Sequence, residues 1–271
     1  MPELPEVETT LRGVQPLVEK RTVSAVVVRQ RQLRWPVSHG LHQQIHGRKI
    51  LSVNRRAKYI LLRFTNGTLM IHLGMSGRLQ VLPVAVSPGK HDHVDIVLST
   101  GRVLRFHDPR RFGSVLWING DPLVSPLLAH LGPEPFDEVF CGRMLFEAAR
   151  GRRIAVKSFI MDGRIVVGVG NIYASEALFR AGIRPTRAAG RVALHRYERL
   201  VETIRGVLSQ AIAAGGTTLR DYSRVNGEPG YFEQALQVYE KSGEPCVNCG
   251  DAIRRKVIGQ RASYYCASCQ H

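Results

Sequence analysis

Four of the five cysteines lie within the last 26 residues of the 271-residue chain, and their spacing tightly constrains the fold of that segment. They form two C-x2-C pairs separated by 16 residues: Cys246, Cys249, Cys266 and Cys269. Each pair can close a tight turn around one edge of a tetrahedral metal ion. Four thiolates fill that coordination shell, so the spacing predicts one structural Zn²⁺, held on a β-hairpin. Two disulfides are the alternative, which the reducing cytosol that we expect for this chain disfavours.

Upstream of the cysteines the chain divides into a β-rich part and a helical part. After an amphipathic helix over 5–20, short runs separated by turn residues predict strands at 22–29, 50–54, 59–64, 68–73, 78–82, 93–98, 102–107 and 113–118. Helices are predicted at about 141–150, 153–161, 171–182 and 191–214, whereas Gly, Asn and Pro argue against helix in 215–231. The pattern indicates an α+β protein with a β domain (a sandwich or barrel) over 2–130, a helical domain over 131–235 and a four-cysteine finger over 237–271.

The charge balance indicates a polyanionic partner. Lys and Arg total 38 against 22 acidic residues, a net charge of +16 with a pI near 10.3. Such an excess is typical of proteins that bind nucleic acid. No apolar run approaches the ~18 residues that a membrane span needs, and the acidic start, with Glu3, Glu6 and Glu8, does not resemble a signal peptide. We therefore expect a cytoplasmic protein that binds nucleic acid and no membrane.

The second residue is a candidate nucleophile. A small residue after the initiator favours removal of Met1, which would leave Pro2 with a free secondary amine that can attack an aldehyde-like carbon. The pKa of an α-amino group is near ~8, against ~10.4 for Lys, so roughly a tenth of the amine is neutral at pH 7. Glu3 can carry a proton beside it. Many proteins begin Met-Pro for no chemical reason, so the prediction that Pro2 is a nucleophile depends on the other motifs of the chain.

Three further segments of the β-rich part carry cations, an apolar side chain at a turn, or both. The cluster at 55–58 lies where one predicted strand ends and the next begins, a placement that suits phosphate binding. Met75 lies in a glycine-rich turn, and Arg110 and Phe112 share a predicted turn at 108–113. Basic and apolar side chains on one surface suit a protein that kinks DNA by inserting between bases. The alternative is a solvated cation cluster with Met75 and Phe112 in the core.

The helical part and the finger contain a second set of polar residues. A glycine-rich segment leads into Asn171, which we expect to cap a helix whose free N–H groups bind phosphate. Arg152 and Lys157 belong to a basic cluster just upstream, and Arg261 lies between the cysteine pairs, where a hairpin would present it to a phosphate. His91 lies in a His-rich loop whose i, i+2 spacing does not suit a metal site.

Taken together, these segments resemble the formamidopyrimidine-DNA glycosylases, bacterial repair enzymes for oxidised purines, over the whole chain. The resemblance rests on six matches in order: 1–8 (MPELPEVE), 55–59 (RRAKY), 72–77 (HLGMSG), 108–113 (DPRRFG), 169–174 (VGNIYA) and the four-cysteine pattern. One departure lies before the finger. The family often has Val-Tyr-Gly-Arg there, and this chain has Val238-Tyr239-Glu240-Lys241.

The resemblance implies a β-sandwich domain, a helix–two-turn–helix domain and a zinc finger, with duplex DNA held between them. It implies a monomeric, bacterial, nucleoid-associated enzyme that removes 8-oxoguanine and formamidopyrimidines and then cleaves the abasic site by β,δ-elimination. Pro2 would form the Schiff base, Glu3 and Lys58 would move protons, and Arg261 would assist δ-elimination. The implied DNA contacts are Met75, Arg110 and Phe112 inside the duplex and His91, Asn171 and Arg261 on phosphates. From the basic cluster itself we expect Arg152 and Lys157 to bind DNA as well.

Two other functions stay open at this point. One is the endonuclease VIII branch of the same superfamily, which removes oxidised pyrimidines. Leu4 and the set of Met75, Arg110 and Phe112 favour the purine branch. The other is a zinc-containing DNA-binding protein without catalysis, which would bind damaged duplex DNA yet form no covalent adduct under borohydride.

Overall fold

The computed structural model describes residues 2–217 and 232–271, and the chain divides into two compact units. The first unit is Met1–Ala129 with Ala214–Tyr231, and the second is His130–Ala213 with Phe232–His271. The helices in the described residues are α1 (Leu4–Val18), α2 (Leu41–Ile45), α3 (Gly142–Ala149), α4 (Val156–Ile160), α5 (Asn171–Arg180) and α6 (Leu194–Ala213). The strands there are β1 (Val23–Val28), β2 (Ser52–Arg56), β3 (Tyr59–Phe64), β4 (Gly67–His72), β5 (Arg78–Pro83), β6 (Asp92–Leu98), β7 (Arg102–His107), β8 (Ser114–Ile118), β9 (Arg254–Ile258) and β10 (Arg261–Tyr265).

Two four-stranded antiparallel sheets build the first unit. Their strand orders are β1-β6-β7-β5 and β2-β3-β4-β8. Alternate residues face a shared core because side chains of a strand point to opposite faces in turn, as Ile60, Leu62 and Phe64 do in β3. Helix α1 contributes Val7 and Leu11 to the same core. Burying each such side chain stabilises the fold by about 1.5–3 kcal/mol.

Helices α3 and α5 pack against α6 in the second unit. The buried face of α6 follows the helical period: Tyr197, Leu200, Val201, Ile204, Val207, Leu208 and Ala211. The finger hairpin β9–β10 belongs to the same unit, because β10 contacts α5. Phe179 of α5 shares a small core with Val238, Ile253, Cys246 and Cys266. A hairpin this small gains stability by packing on a helix.

The predicted α+β architecture is confirmed, and strands β3 and β7 have the predicted bounds. Helix α2 was not predicted, because five residues are too few to establish a helical period. Of the segment expected to lack helix, residues 218–231 lie outside the described residues. The three domain boundaries stay a prediction. None of the helices within 2–217 and 232–271 is long and apolar enough to cross a membrane.

Candidate active site and nucleic-acid interface

Helix α1 begins directly after Pro2 and Glu3, and hydrogen bonds fix this start. The Glu3 N–H donates to Glu6 Oε2 over 2.7 Å, within a reciprocal capping box. The other oxygen, Glu6 Oε1, accepts from the Thr217 N–H over 2.8 Å. Pro2, Glu3 and Glu6 are all buried. The candidate nucleophile and its neighbouring carboxyl group therefore hold a fixed position within the first unit.

Lys58 lies in the two-residue turn between β2 and β3. Ala57 before it has a left-handed φ of 52°, as two-residue hairpin turns require at their first position. Arg55 fastens this turn to α1, because its Nη1 donates to Ala57 O over 2.9 Å and its Nε donates to Glu8 Oε2 over 2.8 Å. Burial raises the pKa of Glu8, but hydrogen bonds from Arg55 and Arg12 outweigh it and lower the pKa. The charged pair therefore persists at neutral pH.

Met75, Arg110 and Phe112 lie on two neighbouring loops of the first unit. One loop follows β4 and the other precedes β8, and the residues at these ends, His72 and Ser114, pair in register. Phe112 is 43% exposed, and the guanidinium carbon of Arg110 lies 5.2 Å from the centre of its ring. Met75 is partly exposed. Two apolar side chains and a cation on adjoining loops have the chemistry of a wedge that enters a duplex.

His72 was not among the predicted site residues, and the structure adds it. Burial, together with the charges of Lys58 and Arg34, lowers the pKa of His72 to about 4. Its Nδ1 accepts from the Gly74 N–H over 3.0 Å, so the proton of the neutral ring lies on Nε2. Such an N–H donor near two cations suits a phosphate oxygen. The sequence carried a signal, since His72 opens the segment that contains Met75.

A second group of candidates borders the loop of Phe112. His91 is partly exposed, and its carbonyl oxygen accepts from the Asp108 N–H over 3.0 Å. Arg34 and Trp35, which were not among the predicted site residues, lie beside this loop. The Arg34 N–H donates to Gly113 O over 3.1 Å, and Trp35 is 48% exposed. The sequence signal that could have found them is an arginine directly before a tryptophan, because both side chains suit nucleic acid.

Lys157 and Asn171 form a hydrogen-bonded group in the second unit. The cap of α5 is Gly170 and not Asn171, so the predicted Asn cap was wrong. Asn171 instead donates from Nδ2 to Ala262 O over 3.0 Å and accepts at Oδ1 from Lys157 Nζ over 2.7 Å. Lys157 Nζ also donates to Ser263 Oγ over 2.8 Å and to Ala262 O over 3.2 Å. The side chains of α4 and α5 thus hold strand β10 in place.

The burial of Lys157 corrects the prediction that it contacts DNA directly. Its exposed fraction is 1%, and a buried ammonium group must place its donors on protein acceptors. The sequence could not reveal this, because the partner residues lie 14 to 106 positions away along the chain. Arg152 and Arg261, by contrast, are exposed. The guanidinium of Arg152 lies over the Phe159 ring, 5.5 Å from its centre, and Arg261 begins β10.

The four cysteine sulfur atoms converge as their spacing predicts, and all lie within 4.8 Å of one another. Cys246 Sγ lies 3.8 Å from Cys269 Sγ, and Cys249 Sγ lies 3.5 Å from Cys266 Sγ. Four sulfur atoms at ~2.3 Å from a tetrahedral Zn²⁺ are roughly 3.8 Å apart. The donor set therefore forms a metal site whose size and chemistry fit Zn²⁺.

The segment that enters the finger is anchored by a buried carboxylate of α5. Glu176 accepts from the N–H groups of Gln237, Val238 and Tyr239 over 2.9, 3.0 and 2.9 Å. Glu240 follows directly and has a left-handed φ of 62°. In the family pattern given above, Val-Tyr-Gly-Arg, this position is Gly. Glu240, which departs from that pattern, therefore has a backbone conformation that any residue with a Cβ adopts at a cost.

Replacing Glu240 by Gly is expected to stabilise the protein by about 0.5–1 kcal/mol. The left-handed conformation costs a non-glycine residue about 1–2 kcal/mol, and the greater freedom of glycine in the unfolded chain offsets part of that gain. Thermal unfolding measures the change. Lys241→Gly is the matched control, and it should lower the melting temperature because the φ of Lys241 is not in the left-handed region. Equal effects of the two substitutions would contradict the strain at Glu240.

Three family profiles match successive parts of the chain. They are the formamidopyrimidine-DNA glycosylase N-terminal domain at 1–115, the H2TH domain of the same enzymes at 131–223, and a zinc finger found in FPG and IleRS at 243–271. The formamidopyrimidine-DNA glycosylases of Syntrophotalea carbinolica and Alkalilimnicola ehrlichii are 61% and 58% identical to it, with both chains of each pair covered completely.

Solved structures agree with these matches. The MutM (Fpg) protein of Thermus thermophilus superimposes with a TM-score of 0.88 at 38% identity, covering 99% of this chain and 98% of that one. A complex of the Lactococcus lactis Fpg with DNA that contains an abasic site superimposes with a TM-score of 0.92 at 29% identity, covering all of both chains.

A β-sandwich with a leading helix, followed by a helical part and a four-cysteine finger, defines the class of DNA-repair glycosylases that carry a zinc finger. Within that class, this chain belongs to the formamidopyrimidine-DNA glycosylase family.

Proposed function

We propose that this protein is a bifunctional DNA glycosylase and AP lyase that removes oxidised purines, such as 8-oxoguanine and formamidopyrimidines, from duplex DNA. The observation that carries the proposal is the 61% identity, over the full length of both chains, to the formamidopyrimidine-DNA glycosylase of Syntrophotalea carbinolica. Complexes of the similar Lactococcus lactis Fpg contain DNA with Fapy-dG or an abasic site, which supports damaged DNA as the partner.

The proposed reaction begins at Pro2 once Met1 has been removed. The Pro2 nitrogen bonds to C1′ of the damaged nucleotide while the bond from C1′ to the base breaks, and the base leaves with a proton. Glu3 gives a proton to the sugar ring oxygen as the ring opens to an imine. The buried, hydrogen-bonded start of α1 supports this role, because it fixes Glu3 next to Pro2.

The imine then makes the C2′ proton acidic. Its removal expels the 3′ phosphate, a second elimination expels the 5′ phosphate, and hydrolysis of the imine releases Pro2. Lys58 moves protons and holds a phosphate in these steps, and Arg261 assists δ-elimination. The link from Arg55 to Glu8 supports the role of Lys58, because it ties the Lys58 turn to the helix that follows Pro2.

The target base must leave the stack before Pro2 can reach C1′. Met75, Arg110 and Phe112 fill the space that it leaves, with Arg110 facing the orphaned base. His91, Asn171, Arg152 and Arg261 contact phosphates, and His72 and Arg34 join them. Lys157 acts through its neighbours by holding Asn171 and the finger hairpin. The enzyme works as a monomer, and the four cysteines hold one structural Zn²⁺ that maintains the finger.

Borohydride trapping on DNA with 8-oxoguanine opposite cytosine tests the proposal, with N-terminal sequencing of the adduct. We expect base release and a covalent adduct at Pro2. A preference for thymine glycol over 8-oxoguanine would place the protein in the endonuclease VIII branch. Tight binding to damaged duplex without any adduct would leave only a DNA-binding protein.

Binding to duplex DNA should weaken steeply as salt increases. The net charge of +16 supports several phosphate contacts, and each one adds about −0.9 to the slope of log affinity against log salt. Fluorescence anisotropy with an uncleavable abasic duplex measures this slope. Arg152→Ala should reduce its magnitude by about one, whereas an affinity that barely changes between low and physiological salt would argue against duplex DNA as the partner.

A further inference from the structure

The two loops that carry Met75 and Phe112 run side by side because of the sheet topology. Loop 73–77 leads from β4 in one sheet to β5 in the other, and loop 108–113 leads from β7 back to β8. Strands β5 and β7 are hydrogen-bonded neighbours, and so are β4 and β8. Both loops therefore cross between the same two strand pairs at one end of the sandwich.

A buried carboxylate joins the two loops. Asp108 is completely buried, and its Oδ1 accepts from Ser76 Oγ over 3.0 Å. Its Oδ2 accepts from the Gly113 N–H over 2.8 Å. The main chain of Asp108 is held as well, because its N–H donates to His91 O over 3.0 Å and its carbonyl oxygen bonds to His93 Nε2 over 2.8 Å. One side chain thus binds the residue after Met75 and the residue after Phe112.

Backbone contact between the loops leaves no room for adjustment. Gly74 has a left-handed φ of 66°, and a Cβ at this position would lie 2.4 Å from Gly113 N and 2.4 Å from Phe112 C. Only glycine allows two backbones to approach this closely. The loops therefore touch at Gly74 and are bonded at Asp108, so a shift of one loop must move the other.

We propose that Asp108 is a positioning residue that sets Met75 relative to Arg110 and Phe112, so that the three side chains enter the duplex as one preformed wedge. The inference rests on the proposed function, in which these side chains replace the extruded nucleotide. No DNA contact is assigned to Asp108 itself, because it is completely buried. A misplacement of about 1 Å in a positioning contact can cost roughly 10²-fold in rate.

Substitutions at Asp108 separate geometry from charge. Asp108→Asn can keep both links, because the amide oxygen can accept from Gly113 N–H while the amide nitrogen donates to Ser76 Oγ. Asp108→Ala loses both links. We expect Asp108→Ala to lower the single-turnover excision rate of 8-oxoguanine by about 10²-fold. It should also abolish the fluorescence change of a 2-aminopurine placed beside the lesion, whereas Asp108→Asn should resemble the wild type.

Borohydride trapping on a single-stranded abasic oligonucleotide distinguishes a misplaced wedge from a general folding defect, because only a folding defect should slow it. No base needs to leave a stack there, so Asp108→Ala should trap at the wild-type rate. Asp121→Ala is the matched control, since this exposed aspartate accepts a single backbone hydrogen bond, from Leu123, and should behave as wild type. If Asp108→Ala fails to fold, Ser76→Ala decides, because it removes one of the two links and should reduce the fluorescence change.

Three results would overturn the inference. One is a wild-type fluorescence change in Asp108→Ala or, where that variant does not fold, in Ser76→Ala. A second is an equal loss in Asp108→Asn and Asp108→Ala. The third is slow trapping of folded Asp108→Ala on the single strand. If the wild-type protein itself gave no fluorescence change on a lesion duplex, the wedge in the proposed function would be wrong. That result is distinct from the three above, which concern the positioning role of Asp108 alone.

Discussion

An uncleaved N-terminal extension is expected to abolish the borohydride-trapped adduct between this protein and 8-oxoguanine DNA. The extension places the Pro2 nitrogen in an amide bond, and an amide nitrogen cannot attack C1′. The matched control is the same protein after the extension has been cut off to leave Pro2 at the start, which should restore the adduct. Intact-mass measurement should show that active protein lacks Met1. Active protein that retains Met1 would remove Pro2 from its proposed role.

Lys58 is the competing nucleophile, and Lys58→Ala tests it in the same assay. We expect base removal to slow by about 10²-fold or more, as for loss of a general acid–base group. Trapping on a pre-formed abasic site should continue, because the aldehyde is already exposed there. The Pro2 amine is partly neutral at pH 7 without help, whereas the side chains of Lys58 and Arg34 near His72 suit a phosphate. Loss of abasic-site trapping in Lys58→Ala, with Pro2 free and DNA still bound, would make Lys58 the nucleophile.

Cys249→Ser is expected to release the metal and to lower affinity for lesion DNA by about 10²-fold or more. Structural Zn²⁺ contributes an apparent ~10–16 kcal/mol to the folding of small fingers, so a site with three thiolates should not hold the hairpin. The hairpin carries Arg261 and supplies the Ala262 carbonyl oxygen that Asn171 and Lys157 bind. Its loss should therefore disturb several phosphate contacts together. Metal analysis and fluorescence anisotropy on one preparation measure both effects.

Cys141→Ser is the matched control for that experiment. Cys141 is exposed and lies outside the four-cysteine cluster, so the same chemical change there should leave both the metal content and the DNA affinity unaltered. Full DNA affinity in metal-free Cys249→Ser would show that the finger does not need its metal to bind DNA. If the three remaining thiolates of Cys249→Ser held the metal, the predicted loss of metal would be wrong.

Sequence reasoning works here wherever the physical signal is local. The bounds of β3 and β7 follow from six-residue β-rich runs between turn residues, and the cysteine site follows from two short spacings. It failed for helix α2, whose two buried anchors, Leu41 and Ile45, are too few to show a period. It also misjudged Lys157, because a lysine in a basic cluster has the same sequence signal whether it faces solvent or protein.

The sequence by itself determined the metal-binding finger, the order of the strands and of the helices other than α2, the basic character and the placement of Pro2 beside Glu3, because each depends on neighbouring residues or on composition. Only the tertiary structure decided which polar side chains are used inside the protein. Lys157 meets Ser263 across 106 positions, and Asp108 meets Ser76 across 32. Burial in a low-dielectric interior obliges such groups to find partners, and the partner is set by which elements pack together. The packing therefore leaves Arg261 and Phe112 exposed and buries Lys157 and Asp108, which hold their segments in place.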